Sequence, residues 1–371
     1  MYIKSDRKSQ NHILEMLIPF YGVFEPYKIS IIPFTAIILS IIALSHYDRK
    51  IKVTKQTKPY LIFVGYMTIR DILHMFLSVS DPIGTQVNRL ISNVVLYVLI
   101  FVVCNNDFDE AILYRWWKIA GVIFGLGMIY HVFQLLVLGQ DIYPLSLIPG
   151  YDIAHKGVES FTRPTSFFSE PAAYVGSMLP LLFLALKRKD FKWAALSTFL
   201  IAVSTSTVGI ILVAVLWLVF IISEKKSFKV TVLYSAFVVL FVAMFMYLPI
   251  FSDALQKLED VSEGESTWGS RVKGPFQMIG AMDWDELPFG TSTLDTKTFV
   301  YENLDELSKD SGPYIYASKG EDVFLNTFCL IIYRYGILGL LFFLKIFVSQ
   351  IFDKKYEARM YVIMLLVASF R

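Results

Sequence analysis

Apolar runs of about fifteen to twenty residues alternate along this chain with short polar connections, and each run is long enough for a helix to cross a hydrocarbon core of about 30 Å. The runs fall at 12–24, 30–46, 60–79, 89–104, 119–138, 172–186, 191–206, 207–223, 230–250 and 323–349, with a shorter one from 360. In a bilayer the backbone must satisfy its own hydrogen bonds, so repeated runs of this kind predict a helical bundle. The pattern therefore predicts an all-α polytopic integral membrane protein, one membrane domain over 1–371, with about ten or eleven transmembrane helices. The last run, Met360 to Phe370, is too short to cross and stops at Arg371, which reads as a truncated span.

Two long polar interruptions, 139–171 and 251–322, stand out from the short connections. A third feature tests the topology. Residues 191–223 lie between two basic clusters that both prefer the same side, which one long helix would separate. Either a pair of short helices broken at Ser204-Thr205-Ser206-Thr207-Val208-Gly209 keeps them together, or the Ser/Thr cluster is satisfied within one kinked helix; the pair is favoured.

Composition agrees with the pattern: 55% of residues are hydrophobic, 18% are charged and the mean hydropathy is +0.55. Soluble domains carry about 25% charged residues. The start, Met1 to Asn11, is short and charged with no small-residue cleavage site after it, and reads as an uncleaved terminus.

Charge adds a direction. With the N-terminus inside, the pieces 1–11, 47–59, 105–118, 187–190, 224–229 and 350–359 are cytoplasmic, and with their edges they hold 20 of the 34 Lys and Arg residues. That is the positive-inside pattern, and attraction to anionic lipid is the expected role of these lysines. The 251–322 segment carries 15 Asp and Glu against 6 Lys and Arg, which fits the outer face. The expected location is a bacterial cytoplasmic membrane, multi-pass.

Several chemistries lack a signal. There is no Walker motif and no Cys/His metal spacing, and the only cysteines, Cys104 and Cys329, sit in or at spans and imply no disulfide framework. The five histidines (His12, His46, His74, His131, His155) are scattered. Asp107-Phe108-Asp109 and Asp283-Trp284-Asp285 have the spacing that holds a divalent cation against a diphosphate, but two such pairs arise readily in a chain this acidic. No metal, no cofactor and no nucleic acid is expected.

Candidate chemistry gathers on the outer side. Arg163 and Glu170 are seven residues apart just before an apolar run, in Phe161-Thr-Arg-Pro-Thr-Ser-Phe-Phe-Ser-Glu170-Pro171, with Pro164 and Pro171 stiffening the segment. Arginine offers a planar fork of donors suited to phosphate oxygens, and a glutamate beside it can orient it or act as a general base. The same pair read as an ion pair simply ties down a loop. In the acidic loop, Arg271 and Lys273 are the only tightly spaced cations; they form an anion site or balance Glu263 and Glu265. Trp268, Trp284, Tyr301, Tyr314 and Tyr316 suit sugar rings and equally suit an interfacial belt.

Within the third run, Arg70 and His74 share a helix face and Asp71 is adjacent. Ionisable groups at that depth are costly and usually functional. Asp71 neutralises Arg70, or Arg70 lines a cationic cavity. Arg334 in the tenth run raises the same question without a nearby acid in the sequence.

Taken in order, Arg163 to Pro171, the Ser/Thr break before Gly209, Ser270-Arg271, Pro288-Phe289-Gly290, and Asn326 followed ten residues later by Gly336-Ile-Leu-Gly339 resemble the O-antigen polymerase and ligase superfamily, the Wzy and WaaL type. The resemblance runs from about 160 to 345. It implies a glycosyltransferase fold of the C type, GT-C-like, with one large extracytoplasmic loop. It also implies a capsular, O-antigen or exopolysaccharide polymerase that moves growing glycan from undecaprenyl diphosphate to the next lipid-linked repeat unit. The residues implied are Arg163, Glu170 and Arg271 as catalytic and Lys273, Arg70, Arg334 and Asn326 as substrate-binding. Implied partners are the undecaprenyl-diphosphate-linked oligosaccharide and the lipid bilayer, with a chain-length regulator and a flippase beside them. Ligases of this superfamily carry a histidine directly before the asparagine matched by Asn326; here that position is Leu325, which favours a polymerase and leaves the base open, with Glu321-Asp322 nearby. The alternatives are a lipid-linked oligosaccharide flippase or another transporter, and an O-antigen ligase.

Overall fold

The computed structural model describes residues 12–24, 28–29, 32–45, 53, 57–77, 83–104, 109–140, 164–168, 170–223, 274–291, 295–303, 307 and 325–351. The expected spans at 230–250 and from 360 lie outside them.

The described chain is almost wholly helical. Tight turns His12–Met16 and Tyr21–Phe24 flank α1 (Leu17–Phe20), and a two-residue antiparallel pair, β1 (Lys28–Ile29) with β2 (Ile32–Pro33), leads into α2 (Phe34–Ser45). There follow α3 (Lys58–Leu77), α4 (Ile83–Cys104), α5 (Glu110–Val137), α6 (Pro171–Lys187), α7 (Phe191–Val203) and α8 (Thr207–Ser223). Two short helices, α9 (Gly274–Gly280) and α10 (Thr296–Glu302), precede α11 (Thr327–Ile351). Three stretches are long and apolar enough to cross a membrane: Gln86–Val103, Glu110–Val137 and Thr327–Val348. Leu14–Phe24, Phe34–Leu44, Pro171–Lys187, Phe191–Val203 and Val208–Ile222 are shorter apolar helices.

Helix starts follow the capping residues. Asp109 opens α5 by accepting from the amides of Ala111 (2.7 Å) and Ile112 (3.3 Å), and Asp190 opens α7 through the Trp193 amide. Such carboxylates satisfy donors that have no partner inside the helix. Pro171 stands in the first turn of α6, where its missing N–H costs nothing. The break anticipated in 191–223 is present: α7 ends at Val203, Thr205 takes a positive φ of 53°, and α8 begins at Thr207.

The chain gathers into two compact units, Met1–Lys52 with Val95–Gly209 and Val53–Val94 with Ile210–Arg371. In the first, α6 turns directly into α7 through residues 188–190, and both helices pack with α5. Glu110 at the start of α5 pairs with Lys187 and with Arg188, the latter at 3.3 Å, and the Tyr114 hydroxyl donates to Asp190 at 2.9 Å. In the second, α3 packs along α11 through Phe63 on Phe343 and Tyr66 on Phe342, with ring centroids 5.5 and 5.1 Å apart. The described parts of the acidic loop are folded: Met278, Met282, Phe299 and Val300 bury against Cys329 and Tyr333 on α11.

Candidate functional site

Unit one holds the turn that follows Arg163. Its backbone is fastened to α5: the Thr165 amide donates to His131 Nδ1 at 3.0 Å and the Ser166 hydroxyl donates to the Phe124 carbonyl at 2.8 Å. The turn is closed by the Phe168 amide on the Thr165 carbonyl at 3.2 Å, and Ser166 takes a positive φ of 57°. A train of edge-on rings, Phe20, Phe124, Phe168 and Tyr174, packs beside it at centroid distances of 5.4, 5.0 and 5.7 Å. Because an amide can only donate, Nδ1 of His131 must be the unprotonated nitrogen. The hydroxyls of Thr165 and Tyr174 are both fully buried with no hydrogen-bond partner among the described residues. Glu170 is the cap residue of α6. It is half-buried, its carbonyl accepts from Ala173 and Tyr174, and its side chain does not cap the helix. Arg163 lies outside the described residues.

Unit two holds the second part. Here α11 is broken at Gly336, whose φ of 69° and ψ of −176° are not helical. A break of this kind frees backbone groups that must find partners elsewhere. The segment 287–291 supplies them. The Ile337 amide donates to the Leu287 carbonyl at 2.8 Å, the Leu338 amide to the Pro288 carbonyl at 3.2 Å, and the Thr291 amide to the Tyr333 carbonyl at 2.8 Å. The two backbones meet at two glycines. A Cβ on Gly290 (φ 93°) would collide with the Arg334 carbonyl, and one on Gly336 with the Pro288 carbonyl. Only glycine tolerates both the conformation and the approach.

Arg70 of α3 reaches the same segment. Its Nε donates to the Phe289 carbonyl at 2.7 Å, and its Nη2 to the carbonyls of Gly290 at 3.0 Å and Thr291 at 3.4 Å. Asp71 points elsewhere, as adjacent helical residues must, about 100° around the axis. It is buried and accepts from Asn93 Nδ2 at 3.4 Å, which also reaches the Tyr335 hydroxyl at 3.4 Å. Arg89 and Arg334 lie within electrostatic reach of the Asp71 carboxylate. Arg334 is half-buried, and its Nε is buried with no hydrogen-bond partner among the described residues. Of the two readings left open for Arg70, a pairing with Asp71 is not what the described residues show: Arg70 bonds backbone carbonyls, while Asp71 belongs with Asn93 and the neighbouring arginines.

Asn326 is buried at the mouth of α11, where its Oδ1 accepts from the Cys329 amide at 3.0 Å. That is the geometry of a helix cap. Leu325 beside it is part of the hydrophobic core. Of the paired aspartates, Asp109 caps α5, and Asp283 and Asp285 are exposed in a turn. Arg271, Lys273, Glu321, Asp322 and Asp107 lie outside the described residues, as do Trp268, Tyr314 and Tyr316. Sequence reasoning missed three participants: His131, one of five scattered histidines, and Tyr66 and Asn93. A polar side chain inside an apolar run was the available signal for the first and last.

Together these features define a predominantly helical chain with three helices long and apolar enough to cross a membrane and, beside a broken helix, a buried aspartate among part-buried arginine and asparagine side chains. No protein-family model and no curated protein matches the chain.

Proposed function

We propose that the chain is a polysaccharide polymerase of the bacterial cytoplasmic membrane, with about ten or eleven spans, a GT-C-like arrangement and the N-terminus inside. It takes the growing glycan from undecaprenyl diphosphate and joins it to the next lipid-linked repeat unit on the outer face. An acceptor hydroxyl oxygen bonds to the anomeric carbon of the donor, the bond from that carbon to the diphosphate oxygen breaks, and the acceptor proton leaves to a base. The departing diphosphate carries the new charge, so fixed cations are what the reaction needs most.

One observation carries this reading. Pro288-Phe289-Gly290 and Gly336 belong to one sequence pattern on account of the resemblance alone, and in unit two they interlock with Arg70 and Arg334 beside them. Broken membrane helices with embedded charge are characteristic of substrate cavities. Arg163 and Arg271 are assigned to the diphosphates, Glu170 to the base or to the orientation of an arginine, and Lys273, Arg334 and Asn326 to the substrate region. Arg70 belongs to the same region through the segment it holds.

The test is glycan length on the lipid carrier in cells lacking this gene, complemented with the unsubstituted chain, Arg163→Ala or Arg271→Ala. The reading expects variants that insert normally yet leave single repeat units on the outer face. Polymer persisting with both variants would make the arginines structural, and units accumulating on the inner face would indicate a flippase.

A further inference from the structure

We infer that Arg70 is a positioning residue, which holds the backbone of residues 289–291 in the break of α11 and thereby fixes Arg334. This rests on the polymerase reading for its consequence in activity, but not for the contact itself. Two of the three guanidinium nitrogens of Arg70 are committed to three carbonyl oxygens, the shortest at 2.7 Å. Hydrogen bonds from a charged donor are the stronger kind; the bond to the Phe289 carbonyl is exposed, while those to the Gly290 and Thr291 carbonyls are part-buried.

The segment so held is the one that satisfies α11 at its break, from Leu287 and Pro288 on one side and Thr291 on the other. It also lies so close to Arg334 that no side chain fits at Gly290 between them. Arg334 therefore loses this backbone packing if 289–291 lifts away. Of the two arginines, Arg334 is the one with a buried donor that no described group accepts from. The division of labour follows: Arg70 spends its donors on the protein, and Arg334 keeps a donor for an anion. The anionic group of the proposed substrate is a diphosphate.

Covalent replacement of the hold separates positioning from contact. The Ile337 amide bonds the Leu287 carbonyl at 2.8 Å, so these neighbours are the place for an engineered disulfide. The experiment uses full-length chain in cells lacking the gene, with Arg70→Met alone and combined with Leu287→Cys/Ile337→Cys. Disulfide formation is read by mass spectrometry of the linked peptides, and glycan length is read on the lipid carrier. Arg70→Met alone should shorten glycan and lower polymer by about a hundredfold, the scale of a misplaced reacting group. Oxidation of the cysteine pair should restore polymer to within about threefold, while reduction should remove it again.

A second arm needs no activity. Thr291→Cys, buried beside Arg70, should react with a maleimide about tenfold faster in the Arg70→Met chain than with Arg70 present, as local opening would dictate. Full oxidation without recovery of polymer would overturn positioning and put Arg70 in contact with the substrate. Unchanged labelling would overturn the hold, and it decides the contact whether or not the cysteine pair oxidises. If the unsubstituted chain supports no polymer, the polymerase reading fails while the labelling arm still decides the contact.

Discussion

The Tyr66 hydroxyl donates to the Tyr335 carbonyl at 2.7 Å, one residue before the point at which α11 breaks. A carbonyl next to a broken turn has lost its helical donor, and Tyr66 replaces it from a neighbouring helix. Arg70, four residues further along α3 and on the same face, does the same for the segment that enters the break. The interlock in unit two is thus held from one helix face by two side chains and from within by two glycines.

The glycines give the sharpest prediction for stability. Gly336→Ala and Gly290→Ala each place a Cβ against backbone at a positive φ, and each should destabilise purified protein by about 1–3 kcal/mol. Gly65→Ala on α3 meets nothing within 4 Å and should leave stability unchanged or raise it by up to about 1 kcal/mol. Thermal unfolding in detergent compares the three; equal behaviour would contradict the interlock.

His131 should matter through one nitrogen. His131→Phe leaves the buried Thr165 amide without an acceptor, at a cost of about 1–3 kcal/mol, and should expose the 164–168 turn to limited proteolysis. His131→Asn retains an acceptor in a similar place and should protect the turn far better. If both variants are cut at the same rate, the turn is held by something else.

Asn326 has two conceivable duties, and conservative substitution parts them. Asn326→Asp keeps the oxygen that accepts from the Cys329 amide and should preserve folding, whereas Asn326→Ala should cost about 1 kcal/mol as a lost cap. On the polymerase proposal, a folded Asn326→Asp chain that fails to support polymer would place the amide against substrate; one that supports it would leave Asn326 as a cap.

Asp295 offers a pH dependence with a defined sign. Its carboxylate accepts from the Thr298 hydroxyl at 2.7 Å and the Thr298 amide at 3.1 Å, and these bonds hold it below the usual carboxylate range. A folded-state pKa below the unfolded one contributes stability that is present above the unfolded value, about 3.9, and lost as pH falls through the folded one. The acid arm of a stability titration should therefore be shallower in Asp295→Asn than in the unsubstituted chain, with no difference in slope near neutrality.

Much of the helical plan was legible because long apolar runs leave a simple record. The runs at 60–79, 119–138 and 172–186 answer to α3, α5 and α6, and the Ser204–Gly209 break divides α7 from α8. The folded state of the acidic loop was not legible, since α9 and α10 are seven residues each and take their apolar partners from α11. The role of Arg70 was hidden for a related reason. Its acceptors are backbone carbonyls some 220 positions away, and carbonyls leave no mark in a sequence. The glycines were visible as a motif, but that they face one another's backbones was not.

The distance between Arg70 and its acceptors bears on how the molecule is made. Arg70 emerges from the ribosome long before residues 289–291 exist. Helix α3 therefore carries an early residue whose partners are made late: the guanidinium finds its carbonyls only when the later segment arrives to receive it.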